Sequence, residues 1–189
     1  MGNREKLLKA ARTCLYEKGY RRTTARDLTT AAGTSLAAIG YHFGSTEALL
    51  NAALHEAVEE WGDRLGTALA AEVDPAAEPA ERFAAIWSRI IDSFGADRPL
   101  WAAQAELLVQ AQHVPELREP LTASMAEGRR GLAEVFQPPG GGEREARLVG
   151  SLVQALLTGL MTRWLIDPEE ALTGTELTEA LHLLTSNLA

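Results

Sequence analysis

Residues 23–49 read TTARDLTTAAGTSLAAIGYHFGSTEAL, and the helix signals in these residues indicate the fold. Thr24, with Asp27 three residues later, forms a helix-start signal, and Gly33 supplies the positive-φ residue that ends the helix. Ser35 is expected to cap a second short helix. Two short helices joined by a glycine-containing turn predict a helix-turn-helix, whose second helix can lie in the major groove of DNA.

The rest of the chain predicts an all-α fold of about nine helices, because it shows helical spacing of apolar residues and no strand-like alternation. The predicted helices outside the opening stretch run from 3 to 18, from Ser45 to about Glu72, from Pro79 to near Gly95, from about Arg98 to before Pro115, from about Glu116 to Phe136, from about Glu143 to Ile166, and from Thr173 onward. PPGGG at 138–142 predicts a loop. The eighth helix is apolar on two faces, so we expect it to be buried from both sides.

Composition limits the class of protein. The chain has 189 residues, of which 46% are hydrophobic and 23% charged, as in a folded globular protein. It has no long unbroken apolar run and no signal-peptide core, so we expect a cytoplasmic protein without a membrane partner. Cys14 is the only cysteine, which excludes an internal disulfide and a zinc site built from cysteines.

Charge is distributed unevenly along the chain. The net charge is −8, yet the first 47 residues hold eight Lys and Arg against four Asp and Glu. They therefore carry +4, which leaves −12 on residues 48–189. A basic amino-terminal segment on an acidic body is the asymmetry expected when one end of a protein faces a polyanion such as DNA.

Taken in order, these residues closely resemble the amino-terminal domain of TetR-family transcriptional regulators. After a basic helix, the matching positions are Gly19-Tyr20, Thr23-Thr24, Leu28, Ala32-Gly33, Ser35, Ile39, Tyr41-His42-Phe43, Ser45 and Glu47-Ala48-Leu49-Leu50. The match covers about the first fifty residues, and the remainder agrees only in the number and length of helices. Two positions differ, since the family usually has tyrosine at the place of Gly40 and lysine at that of Thr46.

The resemblance implies a homodimeric, ligand-responsive DNA-binding repressor with no cofactor. Residues 1–47 would form the DNA-binding domain, and residues 48–189 the ligand-binding and dimerisation domain. The first three helices would bind double-stranded operator DNA, the fourth would transmit a shift, and helices eight and nine would pair across a two-fold axis. Such a dimer reads two inverted half-sites.

The residues expected to meet DNA divide by role. Phosphate contacts are expected from Thr24, Tyr41, His42 and Thr46. Arg22 and Arg26 are expected either to add electrostatic attraction or to reach toward a groove. Base edges are expected to face Thr34, Ser35, Leu36, Ala37, Ala38 and Gly40. This set lacks Arg, Asn and Gln, so reading should rely on thymine-methyl contacts from Leu36 and Ala37, on hydroxyl groups and on DNA shape. For Tyr41 and His42, helix packing is the alternative.

A small-molecule effector, apolar or aromatic, is expected in the carboxy-terminal part. Its candidate lining residues are Phe83, Trp87, Phe94, Trp101, Met125, Met161 and Trp164, each of which could instead belong to an ordinary core. Gln104 and Glu106 are the polar side chains expected to orient such a ligand.

The residues also bear on two other classes of protein. An enzyme is disfavoured because the four histidines lack catalytic or metal-binding spacing and Cys14 lies in an apolar helix, so we expect neither catalysis nor a metal. The second class is an all-α ligand-binding or scaffold protein without operator binding, which Gly40 and Thr46 leave open.

Overall fold

A computed structural model describes residues 2–74, 76–137 and 140–186. Its helices are α1 (Asn3–Lys18), α2 (Ala25–Ala32), α3 (Leu36–Phe43), α4 (Thr46–Glu72), α5 (Pro79–Ala96), α6 (Arg98–His113), α7 (Arg118–Phe136), α8 (Glu143–Ile166) and α9 (Gly174–Ser186), with a short 3-10 helix at Pro115–Leu117. The described ranges contain no strand, which confirms the all-α prediction. Pro138 and Pro139 of the predicted loop lie outside the described residues.

Helix ends follow local capping chemistry. The Ser45 hydroxyl accepts a hydrogen bond from the Ala48 amide at 3.0 Å and so caps α4, as predicted. At the start of α9, the Thr173 hydroxyl accepts from the Glu176 amide at 3.2 Å, and the Glu176 carboxylate accepts from the Thr173 amide at 2.8 Å. This reciprocal pair is a capping box, and its bonds lower the pKa of Glu176.

The chain divides into two compact units. The first comprises Met1–Gly62 with Asp97–Leu121, and the second comprises Asp63–Ala96 with Thr122–Ala189. Helix α4 contributes residues to both, and α6 packs on α1 within the first unit. This physical division differs from the functional division at residue 47, which stays a prediction.

The core of the first unit joins the helix-turn-helix to its neighbours. Leu7 and Leu15 of α1, Leu28 of α2, Ile39 of α3 and Leu49 of α4 are all buried. Each such side chain contributes about 1.5–3 kcal/mol through removal of apolar surface from water.

Three aromatic side chains complete this unit. Tyr20 is buried, and its hydroxyl donates to Asn51 Oδ1 at 2.9 Å. Burial raises the pKa of that hydroxyl. The rings of Trp61 on α4 and Trp101 on α6 meet edge to face, with centroids 4.8 Å apart.

The second unit is arranged around α5, which packs against α8 and α9. Its buried face carries Ile86, Trp87, Ile90 and Phe94. Gly174 at the start of α9 permits the close approach, because a Cβ there would meet the carbonyl oxygen of Ala84, on α5. Substitution of that glycine would therefore force these two helices apart.

Within the single chain, helix α8 is buried on one of its two apolar faces, and the prediction that it is buried from both sides stays a prediction. Val153 and Met161 are buried, whereas Leu148 and Leu152 on the other face are 45% and 58% exposed. The small residues Ser151, Ala155 and Gly159, spaced four apart on α8, are exposed as well. Close packing occurs instead at Gly150, where a Cβ would meet the carbonyl oxygen of Arg129 on α7.

By length and composition, α8 is apolar enough to cross a membrane, which is weak support for a span. Only 17% of its most apolar window is buried inside the chain. A helix at a protein–protein interface also exposes one apolar face when the chain is described without its partner.

Candidate nucleic-acid interface

The connection between α1 and α2 is fixed by side chains that bond the end of α1. Thr23 is buried, and its hydroxyl lies 2.8 Å from the Gly19 carbonyl oxygen and 3.2 Å from that of Cys14. The Arg22 Nε donates to the Lys18 carbonyl oxygen at 2.6 Å. The bond from Arg22 satisfies a carbonyl group that the end of a helix leaves without a partner.

The amino terminus of α2 is held by the predicted capping box. The Thr24 hydroxyl accepts from the Asp27 amide at 3.3 Å, and Asp27 Oδ2 accepts from the Thr24 amide at 2.9 Å. Lys18 Nζ lies 2.6 Å from Asp27 Oδ1 and ties the end of α1 to the start of α2. The Lys18 ammonium and the Thr24 bonds hold the pKa of the Asp27 carboxyl well below its usual range.

The turn between α2 and α3 depends on Gly33, which has φ 61° and ψ 39°, as predicted. Ser35 stands at the N-cap position of α3, but its hydroxyl makes no capping bond, so this part of the prediction is wrong. The Thr34 hydroxyl oxygen is buried, which turns it away from the surface that would read base edges.

The outer face of α3 is open. Leu36 is 64% exposed and Tyr41 is 85% exposed, so neither side chain is part of the core of this unit. A Cβ added at Gly40 would meet no atom within 4 Å. The His42 ring lies edge-on to that of Tyr41, with centroids 4.9 Å apart.

The predicted DNA-contact residues all lie on these elements of the first unit. Arg22, Thr24, Arg26, Ser35, Leu36, Ala37, Gly40 and Tyr41 are exposed, whereas Thr34, Ala38, His42 and Thr46 are half-buried. Their roles toward DNA stay predictions. Because His42 is half-buried, its side chain also contributes to helix packing, which was the alternative to phosphate contact.

Arg4 is a residue of this surface that sequence reasoning did not single out. It is exposed, and its guanidinium carbon lies 5.5 Å from the centre of the Phe43 ring at the end of α3. The only signal in the sequence was its positive charge, since the pair joins residues 39 positions apart.

The predicted effector-site residues fall into both units. Trp87, Phe94 and Met161 are buried, Phe83 and Trp164 half-buried and Met125 exposed, all in the second unit. Trp101, Gln104 and Glu106 belong to the first unit. Their roles toward a ligand stay predictions, and Glu106 already has a contact within its unit, because its Oε2 accepts from the Arg21 amide at 3.0 Å.

The structure brings together an aromatic cluster in the second unit. The ring centroids of Phe83 and Phe136 are 5.7 Å apart, and those of Trp87 and Phe136 are 5.5 Å apart. The Trp87 indole nitrogen is buried without a hydrogen-bond partner in the structure. Phe136 was missed as a neighbour because it lies 49 residues from Trp87.

A surface groove of about 620 Å³ runs between α5 and α9. It is lined by Ala80, Glu81, Ala84, Ala85, Ser88, Thr175, Thr178, Glu179 and His182, a set that contains none of the predicted effector residues. Within residues 2–74, 76–137 and 140–186, no three His, Cys, Asp or Glu side chains converge into a possible metal site.

A capped helix-turn-helix with an exposed second helix is the architecture of DNA-binding regulators. Residues 7–53 match the family model of bacterial regulatory proteins, tetR family, and residues 78–186 match the tetracyclin repressor-like, C-terminal domain. The chain belongs to the TetR family of transcriptional regulators. Regulators of this family are generally ligand-responsive, non-enzymatic DNA-binding proteins.

Solved structures share this fold over almost the whole chain. A transcriptional regulator from Rhodococcus sp. Rha1 is 25% identical, with 95% of this chain and 92% of that chain covered and a TM-score of 0.61. The multidrug binding protein EbrR, complexed with imidazole, is 22% identical, with 96% and 95% covered and a TM-score of 0.71. The fatty acid degradation regulator FadR from Bacillus halodurans is 18% identical, with 97% and 94% covered and a TM-score of 0.65. No curated protein matches the chain by sequence.

Proposed function

We propose that this chain is a repressor that binds an inverted-repeat operator as a homodimer and leaves it when a small apolar or aromatic effector binds. The observation that carries the proposal is the exposed face of α3, held on a capped and packed helix-turn-helix in a chain of the TetR family. The chain acts in the cytoplasm and catalyses no reaction.

On the DNA, the open residues of α2 and α3 take the two roles of anchoring and reading. Tyr41, Thr24 and Thr46 bond phosphates, with His42 supporting Tyr41 through its ring contact. Arg22 and Arg26, both exposed, add electrostatic attraction. Reading falls to Ser35, Leu36, Ala37 and Gly40, since the Thr34 hydroxyl is buried.

Thymine-methyl reading by Leu36 is tested with duplexes that the chain selects from a randomised pool. Replacing thymines by deoxyuridine removes only the C5 methyl group, so each critical replacement should weaken wild-type binding about tenfold. Leu36→Ala should weaken binding to the thymine duplex by a similar factor. The affinity of this variant should not fall further when thymine is replaced by deoxyuridine. Val109→Ala, which trims an equally apolar and exposed side chain on α6, is the control.

The same titrations repeated over a range of salt concentrations test DNA binding itself. Phosphate contacts release counterions, so log affinity should fall linearly with log salt. If the chain shows no sequence-selective binding even at low salt, the repressor proposal fails, and the all-α ligand-binding or scaffold reading replaces it.

The homodimer forms through α8 and α9. Leu148, Leu152 and Ile166 on α8 and Leu183 and Leu184 on α9 are large apolar side chains that stay exposed in the single chain. Beside them, the small residues of α8 leave room for a helix from a second copy, and nothing lies within 4 Å of a Cβ placed at Gly159. A chain that sediments as a monomer at micromolar concentration would contradict this interface.

The effector binds in the second unit among the cluster of Phe83, Trp87 and Phe136. A buried indole N–H without an acceptor costs about 1–3 kcal/mol, and a ligand that offers an acceptor would recover that free energy. Phe94, Met125, Met161 and Trp164 are further lining candidates in the same unit. Because Trp87 is fully buried, entry of the ligand requires the cluster to open.

Two probes of similar shape test this assignment. Acetophenone carries a carbonyl acceptor that ethylbenzene lacks, so acetophenone should bind more tightly and release DNA at lower concentration. Trp87→Phe keeps an aromatic ring but removes the N–H, and should abolish the preference between the two probes. An unchanged preference in Trp87→Phe, or the absence of binding by either probe, would place the effector elsewhere.

A further inference from the structure

Glu106 makes a long-range contact that ties α6 to the connection between α1 and α2. Its Oε2 accepts a hydrogen bond from the Arg21 amide at 3.0 Å, across 85 residues of sequence. The position of Gly19 also shows that Glu106 lies close to this connection. A Cβ added to Gly19, which has φ 83°, would lie 2.6 Å from Glu106 Oε1, so the carboxylate sits directly against the glycine that ends α1.

The contact completes a series of anchors on consecutive residues. After Arg21, the Arg22 Nε bonds the end of α1, the Thr23 hydroxyl bonds two carbonyl oxygens of α1 and its C-cap, and Thr24 caps α2. The anchors on Arg22, Thr23 and Thr24 are local, since each joins residues no more than nine positions apart. Only the anchor on Arg21 is supplied by α6, on Glu106.

We propose that Glu106 is a positioning residue for DNA binding, which holds the Arg21 amide so that the amino terminus of α2 keeps its place against α1. The inference rests on the proposed operator binding and adds α6 to the elements that shape the DNA-contacting surface. Glu106 touches no DNA in this role and acts through the connection that ends at Thr24.

The hydrogen-bond acceptor, rather than the negative charge, is what this role requires. The carboxylate lies at the carboxy-terminal end of α1, where the helix dipole disfavours an anion, and DNA nearby would disfavour it further. Loss of the charge alone should therefore leave DNA binding unchanged or strengthen it. Loss of the acceptor should weaken it.

Two substitutions separate these effects. Glu106→Gln removes the charge and keeps an oxygen acceptor, whereas Glu106→Ala removes both. Glu119→Ala, at an exposed position of α7 in the same unit, removes a charge without touching the connection. We expect Glu106→Ala to bind the selected duplex on the order of tenfold more weakly, since a bond to a charged acceptor is lost, and Glu106→Gln and Glu119→Ala to bind at least as tightly as wild type.

Amide hydrogen exchange of the free protein gives a readout that needs no DNA. The Arg21 amide should exchange on the order of tenfold faster in Glu106→Ala and close to the wild-type rate in Glu106→Gln. Binding is measured well below the unfolding temperature of each variant, so that a loss of folded protein is not mistaken for a loss of affinity.

The outcomes are distinct. Weaker binding together with faster Arg21 exchange, both restored in Glu106→Gln, supports the positioning role. Equal tightening in Glu106→Ala and Glu106→Gln shows that only the charge matters and overturns it, as does unchanged Arg21 exchange in Glu106→Ala. If the wild-type chain selects no duplex, operator binding fails and the positioning role fails with it, even where Arg21 exchange still depends on Glu106.

Discussion

Lys18 and Asp27 form an ion pair that joins the last turn of α1 to the first turn of α2, with Nζ and Oδ1 2.6 Å apart. The same carboxylate accepts from the Thr24 amide and hydroxyl through its other oxygen. Asp27 thus serves both as the N3 residue of the α2 capping box and as the partner of α1. The ion pair with Lys18 requires the ionised form of this carboxylate.

This pair predicts an acid-sensitive step in stability. The pKa of Asp27 is lowered in the folded protein from its ordinary value of 3.8, so the unfolded chain binds the proton more readily. The contact therefore stabilises the fold above pH 3.8 and is lost as the pH falls below that value.

Asp27→Asn should accordingly lower the urea midpoint at pH 7 and differ less from wild type at pH 3. Asp63→Asn, which changes an exposed aspartate of α4, controls for charge alone. A gap between Asp27→Asn and wild type that stays constant across this pH range would show that the ionised carboxylate is not the source of the stability.

We expect substitution of Gly40 to raise the stability of the fold and to weaken DNA binding. It lies within α3, and a Cβ there would meet no protein atom, so Gly40→Ala should stabilise the fold by about 0.5–1 kcal/mol through helix propensity. If the backbone at Gly40 approaches the DNA, the added methyl group should weaken binding to the selected duplex.

Gly62 provides the matched control for this substitution. It is an exposed glycine in the interior of α4 with equally open space around it, so Gly62→Ala should give a similar stabilisation without changing affinity for DNA. Thermal melts and anisotropy titrations of both variants make the comparison. Unaltered DNA affinity in Gly40→Ala would show that the helix stands off the bases at this position.

The helices and most of their caps could be predicted from the sequence because their causes are local. Thr24 and Asp27, Gly33, and Thr173 and Glu176 act within a few residues, and their spacing is visible in the chain. The predicted capping bond of Ser35 is wrong for a related reason. Ser35 does stand at the N-cap position of α3, but the orientation of its hydroxyl depends on side-chain rotation.

The contacts between distant helices could not be predicted in the same way. Glu106 looked like a polar residue beside an apolar stripe, and nothing near it in sequence indicates that it reaches Arg21. Likewise, α8 has two apolar faces, and periodicity alone does not say which face this chain covers. Gly150 is a point of close helix packing within this chain because α7 crosses there, and nothing near Gly150 in sequence indicates this.

We expect the second unit to have no room for a larger side chain at Gly174. A Cβ at this position would crowd the Ala84 carbonyl oxygen and the Ser88 amide, both backbone atoms of α5 that cannot rotate away. Gly174→Ala should therefore destabilise the protein by about 1–3 kcal/mol. Gly131→Ala on α7, where the space is open, should not, and urea titrations of the two variants compare them. Equal stability of the variants would mean that α9 shifts at little cost.

We expect substitution of Leu152 to change the oligomeric state of the protein and, through it, the affinity for DNA. Its side chain is 58% exposed on α8 in the single chain, and Val109 on α6 is exposed to the same extent. Leu152→Glu places a charge where a second copy should pack, so this variant should sediment as a monomer while Val109→Glu remains a dimer.

A monomer engages one half-site rather than two, so Leu152→Glu should also bind the full operator about a hundredfold more weakly. Its affinity for a duplex that carries a single half-site should match that of wild type, which separates lost avidity from a damaged reading surface. A dimeric Leu152→Glu variant would contradict the placement of the interface on this face of α8, and a Val109→Glu monomer would move it to α6.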